Sequence, residues 1–168
     1  VRELLDAFFS YGDASVQDIK AAASAAGFTG NTSQSCLLTY MSIKSRLQGF
    51  ALKLAARSIS DKGHEDADSV GTLHVAHFVP FENNHIAFFT VYDGDFKKYI
   101  QDFAEKTSMM FDTLFPHVVG APPTPVAQNA QAFYQWALEN NYPAIGFYSA
   151  YPGLSVLDIR ALLADRKS

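Results

Sequence analysis

Thr72-Leu73-His74-Val75-Ala76-His77-Phe78-Val79-Pro80-Phe81 and His85-Ile86-Ala87-Phe88-Phe89-Thr90-Val91-Tyr92 are two β-rich runs separated by Glu82-Asn83-Asn84. Branched and aromatic side chains suit a pleated, half-buried surface, and the short polar break reads as a hairpin turn. Pro80 has no amide hydrogen, so it belongs at a strand end or on an edge. Asp93-Gly94-Asp95 then breaks the second run and offers an N-cap to the next helix.

Beyond the hairpin, Phe96, Tyr99, Ile100, Phe103, Met110, Phe111 and Leu114 fall on one helical stripe that ends near Pro116. Ala121-Pro122-Pro123-Thr124-Pro125 is a stiff connector. A second helix carries Val126, Ala130, Phe133 and Ala137 to Asn140-Asn141. The chain closes with a strand over Ala144 to Ala150, a Tyr151-Pro152-Gly153 turn, and a helix capped by Ser155 with Asp158 at N3. Before the hairpin the spacing predicts a strand from Leu4 to Ser10 and an Ala-rich helix ending at Gly27. It also predicts a helix from about Ser35 to Ile59, and an exposed linker from Ser60 to Ser69.

This order predicts an α+β fold: a ferredoxin-like antiparallel sheet with helices on one face, of the dimeric α+β barrel type. Fourteen phenylalanines and eight tyrosines would suit a sheet-to-sheet interface in such a barrel. The expected units are a strand-helix tail of a preceding repeat over residues 1–30, a helix and linker over 31–70, and a ferredoxin-like repeat over 71–168.

An internal repetition motivates the first of these. Phe8-Phe9-Ser10-Tyr11 and Ser15-Val16-Gln17-Asp18-Ile19-Lys20-Ala21 return as Phe147-Tyr148-Ser149, Tyr151 and Ser155-Val156-Leu157-Asp158-Ile159-Arg160-Ala161, skipping Ala150. Its Ser and Asp read as helix caps and its aromatics as core. The chain is therefore expected to start partway through a two-repeat protein.

Hydrophobic residues make up 48% of the 168 and charged residues 18%, a globular composition. A net charge of -4 with scattered lysines and arginines argues against a nucleic-acid partner. No apolar run reaches the length of a membrane span. Cys36, the one cysteine, excludes an internal disulfide framework and fits a reducing compartment, so a cytoplasmic location is expected.

Signals for nucleophilic or phosphate chemistry are missing: the chain has no GxSxG, P-loop or GxGxxG pattern. His74 and His77 sit three apart in one strand, which directs them to opposite faces and separates them as metal ligands. His117 follows the aromatic helix, either as a terminal His favoured by the helix dipole or as a ligand pointing inward. Asp93 is either an N-cap or a carboxylate facing a pocket, able to shuttle protons. Tyr148, Tyr151 and Trp136 read as core aromatics, with redox activity as the alternative.

Gly71-Thr72-Leu73-His74-Val75-Ala76-His77-Phe78-Val79, Tyr92-Asp93-Gly94 and Phe147-Tyr148-Ser149-Ala150-Tyr151-Pro152-Gly153-Leu154-Ser155-Val156 resemble a group of tandem ferredoxin-like proteins akin to the dye-decolourising peroxidase superfamily. The stretch comparable to that superfamily's GxxDG motif is Thr90-Val91-Tyr92-Asp93-Gly94, with Thr in place of the first glycine. The resemblance implies a dimeric α+β barrel with haem between sheet and helices. His117 would then be the axial iron ligand and Asp93 the distal acid of a peroxidase-like oxidoreductase. The alternative is a non-catalytic ligand-binding or assembly domain, forming a homo-oligomer or pairing with the remainder of a longer chain. A third expectation is a cofactor-independent monooxygenase or other small-molecule enzyme using the barrel interior.

Overall fold

The computed structural model describes residues 34–45, 49, 66–82, 84–142, 144 and 146–166. The expected N-terminal strand and helix, including the first copy of the repeated element with Ser15 and Asp18, lie outside these residues, as does most of the Ser60–Ser69 segment.

Three antiparallel strands, β1 (Gln34–Ser42), β2 (Leu73–Phe81) and β3 (His85–Asp93), form a sheet ordered β1-β3-β2. The hairpin forms where the sequence places it. Asn84 turns the chain with φ 62°, a left-handed conformation that Asn tolerates better than most side-chain-bearing residues. Pro80 lies in β2, which has β3 on one side only among the described strands. That edge position is the one a residue without an N–H requires.

The first part of the helix expected from Ser35 to Ile59 is instead β1, paired along its whole length with β3 from Gln34↔Asp93 to Ser42↔His85, while most of its later part lies outside the described residues. Leu37 and Met41 mislead because i and i+4 share a face in a helix and in a strand alike. Beside the long β3, pairing satisfies the β1 backbone groups that point toward it and buries both residues against the helices. The strand expected over Ala144–Ala150 does not form among its described residues. The chain does start to pair with β1, since the Tyr142 amide donates to the Leu38 carbonyl at 2.7 Å.

Among the described residues, four helices come after the hairpin: α1 (Phe96–Lys106), α2 (Ser108–Leu114), α3 (Ala130–Asn140) and α4 (Val156–Asp165). Gly94 breaks β3 with φ 83°, and Asp95 then caps α1 by accepting from the Lys98 amide at 3.0 Å. The expected single stripe is two helices, parted at Thr107, whose hydroxyl donates to the Phe103 carbonyl at 2.9 Å. Such back-bonding competes with the helical ladder.

Side-chain alternation splits the sheet into two faces. Leu37, Thr39 and Met41 of β1 and Phe88, Thr90 and Tyr92 of β3 face the helices. There they meet Tyr99, Ile100, Phe103, Phe111, Phe115 and Phe133 in one buried core. Tyr92 stacks on Tyr99 at 3.9 Å, and the Tyr99 hydroxyl donates to Thr90 Oγ1 at 2.7 Å. Offset and edge-to-face contacts join Phe88, Phe103, Phe111, Phe115 and Phe133 at 4.8–6.1 Å between ring centroids. This is an α+β architecture, a ferredoxin-like antiparallel sheet with helices packed on one face.

Candidate functional site

Asp93 ends β3 on the face turned away from α1, α2 and α3, opposite in direction to its neighbour Tyr92. Its Oδ1 lies 2.7 Å from His74 Nε2, and its Oδ2 accepts the Val156 amide of α4 at 2.7 Å. A carboxylate at the first amides of a helix is held by orphan N–H donors and the positive end of the helix dipole. The N-cap of α1 falls to Asp95 instead. Beside Asp93, the Gln34 side-chain amide donates to the Tyr151 and Leu154 carbonyls at 3.1 and 2.9 Å. Asp93, His74 and Gln34 thus anchor the turn before α4 to one end of the sheet.

Sequence spacing misplaced His74. The register slips between Leu73 and Val75, so a bulge at His74 turns its ring to the outer face beside Asp93. His77, paired with Phe89, points to that same face, with the two rings 6.2 Å apart edge to face. Among the described residues no group of three or more histidines, cysteines or acidic side chains is placed to hold a metal.

His117 lies at the other end of the sheet. It closes a single 3-10 turn, Phe115–His117, and its carbonyl accepts from the Lys44 amide at 2.9 Å. Val118 bridges to Ile43, one residue beyond the Ser42↔His85 pair. Asp93 and His85 are the two ends of β3, roughly 27 Å apart at the rise of an extended strand. The structure therefore does not bring Asp93 and His117 to one site. His117 Nδ1 is buried with no hydrogen-bond partner among the described residues.

The space where the resemblance would place haem is filled. Between sheet and helices the core leaves a void of about 10 Å³ lined by residues such as Leu37, Thr39, Phe88, Phe103 and Phe133. That is room for one water at most. The residues present do not fit a macrocycle there. Tyr148 and Tyr151 are largely exposed rather than core, while Trp136 packs on Phe115 at 5.0 Å.

What the sequence did not single out is the outer face itself. Tyr40, Val75, Val79 and Phe81 are 42%, 39%, 41% and 50% exposed, and Leu38, Phe89 and Val91 are half-buried beside them. Tyr40 stacks on His85 at 4.8 Å and meets Phe81 at 5.6 Å, covering the small Ala87 of the central strand. By alternation its only formally charged side chain away from the histidines is Asp93, already tied down. Cys36 shares the face, and burial pushes its thiol up, so little of it is the nucleophilic thiolate at neutral pH. The signal was present in the odd-numbered positions of β3 and their neighbours, but reading it required the correct pairing of β1.

No helix among the described residues is long and apolar enough to cross a membrane. The chain matches no family model and no curated protein. Among solved structures it is similar to the crystal structure of MupZ from Pseudomonas fluorescens, with a TM-score of 0.47 and 10% sequence identity. That similarity covers 74% of this chain and 94% of the other.

Proposed function

We propose that this protein is a non-catalytic assembly domain whose outer sheet face packs against the same face of a second copy. The observation that carries the reading is the outer face: three strands wide, apolar and aromatic, with no uncommitted carboxylate or ammonium group among the described residues. A sheet gains by burying such a face against another layer. Both faces of this sheet are apolar, which marks a strand set covered on two sides rather than one. Asp93 acts here as a structural anchor, joining β2, β3 and α4, rather than as an acid in a reaction.

Light scattering on the full chain tests this. A dimer is expected, and Val79→Glu, on the exposed outer face, is expected to yield a folded monomer. A strictly monomeric parent protein would overturn the reading. Titration with haemin separates the peroxidase alternative: no Soret band is expected. A stoichiometric Soret band lost in His117→Ala would favour haem binding instead.

A further inference from the structure

We infer that the paired outer faces form an acid-sensitive contact, which protonation of His77 and His85 opens. The inference rests on the face-to-face pairing proposed above and names what regulates it. Three of the chain's five histidines, His74, His77 and His85, lie on the outer face. Histidine is the side chain whose charge ordinarily changes between pH 5 and 8. An apolar layer can cover a neutral imidazole at little cost. A charged imidazolium buried there without a partner is expensive.

The three differ in what answers a positive charge. His74 has Asp93 at 2.7 Å, so its protonation completes an ion pair. His77 is exposed on β2 and meets the ring of Phe89 edge to face. Asp93 lies four positions along β3 from Phe89, about 13 Å away at the rise of a strand. His85 stacks on Tyr40 at 4.8 Å and faces the backbone carbonyl of the exposed Glu82 at 3.4 Å. Neither His77 nor His85 forms an ion pair with a carboxylate among the described residues. The other titratable groups of the face are Cys36 and Tyr40, a thiol and a phenol, which supply no negative charge in acid. Around its rim, Lys44 donates to the Pro116 carbonyl, Arg160 of α4 binds Asp68, and Asp158 caps its own helix.

Twofold symmetry doubles the effect, because each copy brings the same two imidazoles to the contact. The charge of the whole chain works in the opposite direction. Protonating histidines takes the net charge from -4 toward zero, which by itself favours association. Opening in acid is therefore a signature of this face rather than of net charge.

The test is sedimentation of the full chain at pH 8 and pH 5.5. At the lower pH an imidazole in water is mostly protonated, so each one buried uncharged weakens the pairing by up to about tenfold. A dimer at pH 8 that is about 100-fold or more weaker at pH 5.5 is expected, with an unchanged far-ultraviolet circular dichroism spectrum. His77→Gln with His85→Gln is expected to remain equally dimeric at both pH values. His77→Gln alone, at an exposed position on which the fold does not depend, is expected to lose part of the shift. A parent dimer of equal strength at both pH values overturns the switch and leaves the face-to-face pairing standing. So does a double variant that weakens in acid as much as the parent. Loss of the circular dichroism signal at pH 5.5 would mean that acid unfolds the chain, and overturns the switch. A parent chain that is monomeric at pH 8 overturns the pairing itself.

Discussion

Asp93 and His74 meet side chain to side chain at 2.7 Å although they begin at opposite ends of the hairpin, nineteen positions apart in sequence. The contact depends on the bulge in β2, and through Asp93 it also reaches the first amide of α4. Replacing Asp93 by Ala leaves the buried Val156 amide without its acceptor. A loss of about 2–3 kcal/mol in unfolding free energy is expected, read by chemical denaturation. Asp93→Asn, which keeps an acceptor oxygen, is expected to lose less. Equal losses in the two variants would show that the negative charge carries the stabilisation and that the acceptor oxygen kept by Asn contributes nothing.

Two stacked tyrosines set the alkaline limit. Burial pushes Tyr92 up to about 12 and Tyr99 well above its usual 10, both because a phenolate is poorly solvated in this core. Below pH 10 the phenols are neutral whether the chain is folded or not, and their contribution is fully present. Above pH 10 the unfolded chain releases these protons while the folded chain keeps them. Stability is therefore lost as pH rises from 10 toward 12, by about 1.4 kcal/mol per pH unit for each tyrosine. Denaturation series at pH 8, 10 and 11 check this, and Tyr92→Phe is expected to flatten the dependence.

Thr39 is 2% exposed, and its hydroxyl has no hydrogen-bond partner among the described residues. It borders the small void under the sheet, among Leu37, Met41 and Phe88. Thr39→Val keeps the branched shape and removes a desolvated hydroxyl. It is expected to raise stability by about 1 kcal/mol, measured as a shift in denaturation midpoint with unchanged slope. A destabilised variant would mean that the hydroxyl is satisfied by a bound water.

The start of α4 is held by a reciprocal cap, in which the Asp158 amide donates to Ser155 Oγ at 3.2 Å and the Ser155 amide to Asp158 Oδ2 at 2.9 Å. Ser155→Ala is expected to cost about 1 kcal/mol locally, read as roughly fivefold faster amide exchange in α4. The Ser155 hydrogen bonds also hold the Asp158 carboxyl below its usual 3.8. That contribution is present above pH 4 and disappears as pH falls through the lowered value, so α4 amides should exchange faster in acid. Unchanged exchange would show that the cap does not limit fraying.

Elements that rest on local chemistry were legible in the chain before any contact was known. The β2–β3 hairpin comes from two branched, aromatic runs around a polar break, the Asp95 cap from the chain break at Gly94, and the α4 capping box from Ser155 and Asp158 three apart. The α+β class comes from the order of these elements. Features that depend on a distant partner needed the folded chain. Gln34–Ser42 carries a spacing that serves helix and strand equally, and the open side of β3 made it a strand. His74 reached Asp93 because a one-residue bulge reversed its face, and Asp93 found its amide donor 63 positions away. His117 and Asp93, joined by resemblance, were separated by the length of an extended strand. The apolar outer face emerged from the same pairing, since side-chain direction in a sheet is fixed by register, and register is set by the neighbouring strand.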